Sequence, residues 1–254
     1  MNRNHFMPPF SATSPPAWRC PACGDGALDV VKDSLSTEET ANSKKHRNHP
    51  DWEPDWIENN FSILLRCNRC KEPVFAVGNT QLVEDYVEDF GWGLVEAIVP
   101  QFFVPAVPMI GLPTGCPTEI AVEVQNASSL YWSSPASAGN RIRVCVERLM
   151  DHVSIPKKGK TKKGKFQDLT LHARIERYAK KNPDVGEKLL AIKWLGNSGS
   201  HSDELLQADV LDAFELLSYA LEEILEGKSS RLKRLSSSIS RARGLLLSDC
   251  LADV

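Results

Sequence analysis

Hydrophobic residues in the second half of the chain recur at intervals of three and four positions, the spacing of helices that bury one face. The spacing continues from about Thr118 to Gly227, and no stretch there alternates as a strand does. It predicts a helical bundle over residues 116–227, followed by a basic amphipathic helix in residues 228–254. The inward-facing positions of the first two and the last bundle helices are Ile120, Val124, Ala127, Leu130, Tyr131, Ala138, Ile142, Cys145, Val146, Leu149, Leu206, Val210, Ala213, Phe214, Leu217, Leu221 and Ile224.

The N-terminal part has a different period. Phe61, Ile63 and Leu65 occupy alternate positions ahead of Cys67, as in a half-buried β-strand. Residues 28–31 and 74–77 are further strand candidates beside cysteine pairs. The pattern therefore predicts an α+β protein, with a small antiparallel β unit followed by an all-α unit.

Four of the seven cysteines form two Cys-x-x-Cys pairs, at Cys20/Cys23 and Cys67/Cys70. Two such pairs place four thiolates tetrahedrally, which suits a structural Zn²⁺ ion in a reducing cytoplasm. A redox role is the alternative, but two copies without a thioredoxin-like helix disfavour it. A zinc hydrolase is excluded, since four thiolates leave no open coordination position for water.

These patterns divide the chain into five segments. We expect a disordered N-terminus (1–16), a zinc ribbon with a long insertion (17–80), a connector (81–115), the helical bundle (116–227) and the basic helix (228–254). The connector is rich in acids and then in prolines, and we interpret it as an edge strand plus a segment that wraps one domain onto the other. Its apolar part, 95–113, is too short and too interrupted to span a bilayer.

The net charge of −3 gives no global attraction to nucleic acid, so any such binding requires a local basic patch. A lysine-rich segment between two bundle helices is the best candidate for contacts with a phosphate backbone. A solvated charge run is the alternative interpretation. Its lysines are Lys157, Lys158, Lys160, Lys162, Lys163 and Lys165.

Gly196-Asn197 predicts a tight junction between two core helices, because both residues adopt left-handed backbone angles at low cost. Ser200 and Ser202 are then N-cap candidates for the next helix. The junction holds two polar residues, Asn197 and His201, between helices with apolar faces.

The glycine–asparagine step is followed by small residues and then by His201, and Arg143 and Glu147 lie four apart on an upstream helix. This arrangement resembles the family called domain of unknown function 4145, which is usually grouped with the HEPN superfamily. The resemblance covers about residues 116–226, and the family often carries an N-terminal zinc ribbon. It implies components of prokaryotic restriction and phage-defence systems. Active HEPN proteins are metal-independent ribonucleases that act as dimers, so a homodimer is expected.

In such ribonucleases an arginine stabilises the cleaved phosphate and a histidine transfers protons. Here the nearest cation is Lys193, which lies further from His201 than the usual motif allows. We therefore interpret the chain as a zinc-binding, non-catalytic module that contacts nucleic acid or a partner protein. The alternative is a ribonuclease whose site residues are His201, Asn197, Lys193, Arg143 and Glu147.

Overall fold

A computed structural model of the chain describes residues 1–87, 91–160, 165–198 and 205–242. An antiparallel sheet and the cysteines occupy the N-terminal part, and helices form the rest, as the α+β prediction requires. The strands of the sheet are β1 (Phe10–Ser11), β2 (Leu28–Val30), β3 (Ser36–Glu39), β4 (Asn59–Cys67), β5 (Pro73–Val87) and β6 (Gly91–Val104). Their order is β1-β6-β5-β4-β2, with β3 also paired to β4, and helix α1 (Ala41–His46) lies between β3 and β4 in sequence.

Strand β4 forms where the alternating pattern predicts it. Phe61, Ile63 and Leu65 are all buried, whereas Ser62 and Arg66 between and after them are exposed. The strand pairs with β2, β3 and β5 along its length. Its apolar side chains belong to the buried core of the protein. The predicted strands at 28–31 and 74–77 are also confirmed, as β2 and the start of β5.

The connector prediction for residues 81–115 is wrong in its first two-thirds. Strands β5 and β6 pair from Phe75↔Val104 to Val87↔Gly91 with one register shift at Val77/Gly78, so residues 81–87 and 91–104 belong to a long antiparallel pair. A stretch with alternating acids and apolar residues near a glycine turn was open to this interpretation. What the local pattern did not reveal is that β6 pairs with β5 from Phe75 to Val87, well beyond the part of β5 that pairs with β4.

The expected disorder of residues 1–16 is also corrected. Phe6 and Phe10 are buried, and β1 pairs with β6. The hydroxyl of Tyr131, on a helix, donates to the backbone oxygen of Phe6 at 2.7 Å. Aromatic rings explain the order, because Phe10 packs edge-on against Trp18 with centroids 5.4 Å apart. Isolated aromatics in a polar, proline-rich segment show no period, which is why the sequence pattern missed this.

The C-terminal helices are α2 (Thr118–Leu130), α3 (Pro135–His152), α4 (Leu171–Ala179), α5 (Pro183–Ser198), α6 (Gln207–Leu221) and α7 (Lys228–Ala242). The apolar positions predicted to face inward are buried at nearly every site, including Ile142, Leu149 and Phe214, each fully buried. A short π-helical turn, Glu222–Glu226, follows α6, and Gly227 ends it with φ +59°. Within the described residues, no helix has both the length and the apolar character needed to cross a membrane.

Helix α5 ends at Ser198, one residue after the break predicted at Gly196-Asn197, and both of these residues are helical rather than left-handed. The glycine serves a close approach instead. A Cβ at Gly196 would lie 2.9 Å from Cβ of Arg143 and 3.1 Å from the backbone oxygen of Gly139, both on α3. The predicted caps Ser200 and Ser202 lie outside the described residues.

Two short strands, β7 (Lys158–Lys160) and β8 (Phe166–Asp168), interrupt the predicted all-helical region. They pair antiparallel across the lysine-rich segment. Lysines and glycines seldom predict strands, so the hairpin was not expected from the sequence.

The predicted basic helix is present as α7, and its continuation past Ala242 lies outside the described residues. Leu232, Leu235 and Ile239, its apolar stripe, are 50%, 37% and 43% exposed. The helix therefore presents an uncovered apolar stripe beside basic residues.

The two parts of the chain share one core. Trp18, from the N-terminal part, is 1% exposed and lies edge-on to Trp132, at the end of α2, with centroids 6.2 Å apart. Phe103 of β6 lies 4.9 Å from both tryptophan rings. The end of the sheet that bears the cysteines is thereby joined to the helices through aromatic packing.

Candidate metal centre

The two Cys-x-x-Cys pairs form turns with the same backbone pattern. In the first, the N–H of Gly24 donates to the backbone oxygen of Cys20 at 3.0 Å, and in the second Lys71 donates to Cys67 at 3.1 Å. The residue after each second cysteine has a left-handed backbone, with φ +72° at Gly24 and +68° at Lys71. Glycine adopts this conformation freely, whereas lysine does so at a cost.

The sheet brings the two turns together. Cys67 ends β4, and Leu28 at the start of β2 pairs with it, so the turn that precedes β2 lies beside the turn that follows β4. A further hydrogen bond joins the turns, from the N–H of Asn68 to the oxygen of Ala27 at 2.9 Å. Residues 47 positions apart in sequence thus become neighbours because two antiparallel strands share a register.

The four sulfur atoms lie within 4.8 Å of one another. Sγ of Cys20 is 3.6 Å from that of Cys70, and Sγ of Cys23 is 3.7 Å from that of Cys67. These separations exceed a disulfide bond, and all four cysteines are free. Four ligands at about 2.3 Å from a tetrahedral Zn²⁺ are about 3.8 Å apart, so the spacing matches such an ion.

Backbone amides point at three of the sulfurs. The N–H groups of Ala22 and Gly26 lie 3.4 Å from the sulfurs of Cys20 and Cys23 respectively. Those of Arg69 and Cys70 both lie 3.4 Å from the sulfur of Cys67. Donors directed at sulfur stabilise the thiolate, the form in which cysteine binds metal.

The thiol pKa values reflect this arrangement. Burial acts to raise the pKa of Cys67, but the amides of Cys70 and Arg69 and the neighbouring thiols outweigh it and lower the pKa to about 6. At Cys70 the amide of Glu72 acts to lower the pKa, yet burial and the three neighbouring cysteines raise it to about 12. The opposed shifts arise because the sulfurs share hydrogen bonds, so that the thiolate of Cys67 is stabilised by its neighbours while the proton is held on Cys70.

Gly26 fits closely beside the sulfurs. A Cβ at this position would lie 2.3 Å from Sγ of Cys67 and 3.0 Å from Cβ of Arg69. The turn thus requires a residue without a side chain, while its N–H reaches Cys23. At the surface, the guanidinium of Arg69 binds Asp25 at 2.5 Å, an exposed ion pair that links the two turns.

The donor set defines what the centre does chemically. Cys20 and Cys67 are fully buried, Cys23 is half-buried and only Cys70 is exposed. Among the described residues, these four cysteines are the one cluster of His, Cys, Asp or Glu side chains close enough together to hold a metal ion. His46 and His49 contact Trp56 instead, with ring centroids at 6.4 and 5.5 Å. Four sulfurs fill the coordination positions of a tetrahedral metal ion and leave none for a substrate.

The proposed ribonuclease residues are only partly brought together. Arg143 donates to Glu147 at 2.6 Å and to Asn140 at 3.3 Å, all on α3. Asn197 is half-buried near the end of α5, next to Gly196, which packs on Arg143. Lys193 directs its ammonium at the ring of Trp194, 3.4 Å from the centroid. His201 lies outside the described residues.

The lysine-rich segment is divided by the β7–β8 hairpin. Lys157 binds Asp151 at 3.0 Å and lines a polar cavity of 300 Å³. Lys158 and Lys160 are exposed on β7, and Lys165 precedes β8. The ammonium of Lys160 is 5.6 Å from the ring centroid of Phe166. Lys162 and Lys163 lie outside the described residues.

Three residues at these places escaped the sequence analysis. Gly26 belongs to the cysteine turn, and a second glycine just after a Cys-x-x-Cys pair was the available signal. Phe166 follows Lys165 directly, and an aromatic beside lysines was a signal for stacking. Arg174 is 5% exposed and binds Asp151 at 2.6 Å, but an arginine on a predicted helix gave no indication of burial.

Comparison with known proteins gives two family matches. No curated protein and no solved structure matches the chain. Residues 8–106 match a family described as domain of unknown function (DUF8608), which spans the sheet and all four cysteines. Neither family description names an activity or a ligand. Since residues 125–241 match the second family, the C-terminal helical region belongs to the family described as domain of unknown function (DUF4145).

Proposed function

We propose that this protein is a zinc-stabilised, non-catalytic interaction module that binds nucleic acid through its β7–β8 hairpin. The observation that carries the proposal is the pairing of two features. A closed four-sulfur centre offers structure without catalysis. A basic hairpin with an exposed aromatic ring offers a contact surface.

Zinc is the metal that this donor set favours. Thiolates are soft ligands that select Zn²⁺, Cu(I) and iron–sulfur clusters, and four sulfurs at the spacing of a single tetrahedral ion favour zinc. The amide donors at the sulfurs are the outer contacts such a centre requires. We assign the cysteine-bearing end of the sheet as a zinc ribbon whose task is to hold β2, β4 and β5 in place.

The hairpin combines the two features that bind single-stranded nucleic acid, namely positive charge and an aromatic platform. Phe166 is 68% exposed, and Lys160 lies beside its ring. Bases stack on such a ring, and the ammonium groups of Lys158 and Lys160 are then available to phosphates. Lys157 contributes differently, since its bond to Asp151 anchors the hairpin to α3.

Binding is tested by fluorescence anisotropy of labelled single-stranded RNA, single-stranded DNA and duplex DNA with zinc-loaded protein. Lys158→Ala/Lys160→Ala is expected to weaken binding to every sequence and to reduce the slope of log K against log salt by about 2. Lys180→Ala/Lys181→Ala on the exposed end of α4 is the control, because it removes the same charge elsewhere.

The aromatic contribution is separable from the charge. Phe166→Ser is expected to weaken binding to single strands by about tenfold, since stacking contributes about 1–3 kcal/mol per base, and to leave duplex binding unchanged. Equal binding by the wild type, the lysine variant and its control would refute the nucleic-acid assignment. The zinc assignment is judged independently, by metal content.

A ribonuclease is the second candidate. One contact supports it: Gly196 packs on Arg143, so the end of α5 that carries Asn197 lies beside the Arg143–Glu147 pair. We expect no RNA cleavage in excess EDTA, because Lys193 stacks on Trp194 and lacks the bidentate fork of arginine. EDTA-resistant cleavage that His201→Ala abolishes would establish the enzyme instead. A role in a phage-defence system follows from the family resemblance and is tested by plaque formation on cells that carry the gene and its neighbours.

A further inference from the structure

The polar cavity of 300 Å³ that Lys157 lines lies between the base of the β7–β8 hairpin and helices α3 and α4. Its walls are the last turns of α3, the first turns of α4 and the residues at the two ends of the hairpin. The N–H of Leu169 donates to the backbone oxygen of Lys157 at 2.7 Å and closes the hairpin at this place. The cavity therefore adjoins the surface to which nucleic-acid binding is assigned.

Arg174 of α4 lines this cavity and has a hydrogen-bond donor that the described residues leave unused. Its side chain is 6% exposed, and Nη2 donates to Asp151 at 2.6 Å and to the backbone oxygen of Ile155 at 2.9 Å. The Nε atom is buried as well, and no described residue accepts a hydrogen bond from it. A buried donor without an acceptor costs free energy, so this atom indicates a place for an acceptor from outside the chain.

The charges around Asp151 favour an anion as that acceptor. The carboxylate of Asp151 accepts from Arg174 at 2.6 Å and binds Lys157 at 3.0 Å. Arg148, on the same helix as Asp151, lies 4.0 Å from the carboxylate. One negative charge therefore faces three positive charges, and an anion that enters the cavity forms charge-assisted hydrogen bonds with groups that are only partly neutralised.

The two other carboxylates on the cavity walls each have a cation of their own. Arg143 donates to Glu147 at 2.6 Å. Asp168 is the register partner of Lys158 across the hairpin, so opposite charges lie directly across the two strands. These acids therefore leave the excess of positive charge around Asp151 in place.

We propose that this cavity is a phosphate site, which receives the terminal phosphate of a single strand held by the β7–β8 hairpin. Nε of Arg174 donates to a phosphate oxygen, and the side chains of Arg148 and Lys157 neutralise the phosphate charge. A terminal phosphate carries one sugar and enters a cavity of 300 Å³ from one side, whereas a phosphate within the strand brings a sugar on each side. The inference rests on the proposed function and adds to it the class of strand that is bound.

Fluorescence anisotropy of the zinc-loaded full chain with internally labelled single strands of one sequence tests the site. Strands with a 5′-phosphate, with a 3′-phosphate and with hydroxyl groups at both ends are compared. The wild type is expected to bind one of the phosphorylated strands about tenfold more tightly than the hydroxyl strand, because the phosphate adds charge-assisted hydrogen bonds. Equal affinities for the three strands would overturn the phosphate site and leave the hairpin assignment in place.

Two variants of the cavity and one control identify the residues responsible. Arg148→Gln is expected to remove the preference for the phosphorylated strand. Arg141→Gln is the matched control, because Arg141 is also on α3, is 45% exposed against 48% for Arg148 and pairs with one carboxylate, but does not line the cavity. Arg174→Lys keeps a positive charge beside Asp151 but has no Nε donor, so it is expected to lose the preference as well. If circular dichroism shows that Arg174→Lys is unfolded, the surface variant Arg148→Gln decides, and a preference that survives in it would overturn the proposal.

Inorganic phosphate separates the site from the strand. Thermal unfolding at constant ionic strength is expected to give a higher Tm in phosphate than in chloride for the wild type and Arg141→Gln, with a smaller difference for Arg148→Gln and Arg174→Lys. Exclusion of phosphate from the protein surface would raise the Tm of all four proteins equally, so it is distinguished from binding. If no strand binds, the nucleic-acid assignment fails. Unequal shifts would then support a site for free phosphate, and equal shifts would refute the site as well.

Discussion

The cysteine-bearing end of the sheet and the helical region differ in the interactions that stabilise them. At the sheet end, four sulfurs lie within 4.8 Å of one another, and we propose that a Zn²⁺ ion holds them together. In the helical region, the chain supplies its own partners. Apolar side chains fill the core, and the buried guanidinium of Arg174 binds the carboxylate of Asp151. On the proposed function, the first centre is completed by a metal ion from solution, whereas the second is formed by side chains of the chain alone.

This difference has a consequence for cooperativity. The aromatic cluster around Trp18 and Trp132 joins the two regions, as do the hydrogen bond from Tyr131 to Phe6 and the ion pair between Arg3 and Asp212. The helices retain an extensive core of their own, including Ile142, Leu149 and Phe214. We therefore expect the two regions to respond separately when one kind of stabilisation is removed.

Removal of the metal is the largest perturbation. Cys67→Ser, or chelation of the wild type, is expected to lose on the order of 10 kcal/mol of metal-coupled folding energy at the sheet end while most of the helical signal remains. Elemental analysis and far-ultraviolet circular dichroism during urea unfolding measure both effects. Cys116→Ser, at a half-buried cysteine outside the cluster, is the control and is expected to retain one zinc per chain. Full stability of the Cys67 variant without metal would contradict the comparison.

Loss of the internal ion pair is the corresponding test in the helices. Asp151→Asn leaves Arg174, whose side chain is 6% exposed, without its counter-ion, and is expected to cost about 3–5 kcal/mol. Asp184→Asn is the control, because the 62% exposed carboxylate of Asp184 pairs with Lys188 at the surface and its loss is expected to cost below about 1 kcal/mol. Urea unfolding with metal bound measures both, and equal effects would show that burial does not decide the contribution.

The same pair predicts a pH dependence. Burial acts to raise the pKa of Asp151, but Lys157 and Arg174 outweigh it, so the folded pKa lies below the unfolded value. The stabilisation is complete above the unfolded pKa of about 3.9 and is lost as the pH falls through the folded value. Wild-type protein is thus expected to lose more stability than Asp151→Asn between pH 5 and more acidic solution, by unfolding measured at each pH. Parallel pH profiles for the two proteins would contradict this.

Two glycines next to the cysteines, Gly26 and Gly24, test whether the proposed metal site requires a close backbone approach. Gly26→Ala introduces a Cβ 2.3 Å from the sulfur of Cys67 and is expected to weaken zinc affinity by about 10–100-fold. Gly24→Ala meets no atom within 4 Å and costs only its left-handed backbone, about 1–2 kcal/mol of stability, with zinc affinity little changed. Competition with a chromogenic chelator measures both. Similar affinities for the two variants would show that the close approach is not required.

The smallest effect is expected at Lys71. Lys71→Gly relieves the strain of φ +68° but increases the freedom of the unfolded chain, so a net gain of about 0.5–1 kcal/mol is expected. Asn68→Gly, in the same turn, has no positive φ to relieve and is expected to destabilise. Thermal unfolding of the zinc-loaded variants distinguishes the two. A loss at Lys71 comparable to that at Asn68 would indicate that the left-handed residue carries no strain.

The sequence determined the α+β class, the helical period of residues 118–227, the buried face of β4 and the identity of the four sulfur ligands. Each of these depends on residue type and short-range spacing, which the chain carries locally. The period of two at Phe61, Ile63 and Leu65 and the repeated Cys-x-x-Cys are examples, because neither needs knowledge of what lies across the fold.

Only the tertiary structure decided which distant groups meet. The order of Phe6 and Phe10 depends on rings from α2, the extent of β5 depends on its pairing with β6, and the continuation of α5 through Gly196 depends on its approach to Arg143. The burial of Arg174 likewise follows from the position of Asp151 on another helix. Local propensity for a turn or for disorder is worth at most about 1 kcal/mol per residue, and burial of apolar surface between remote segments exceeds it.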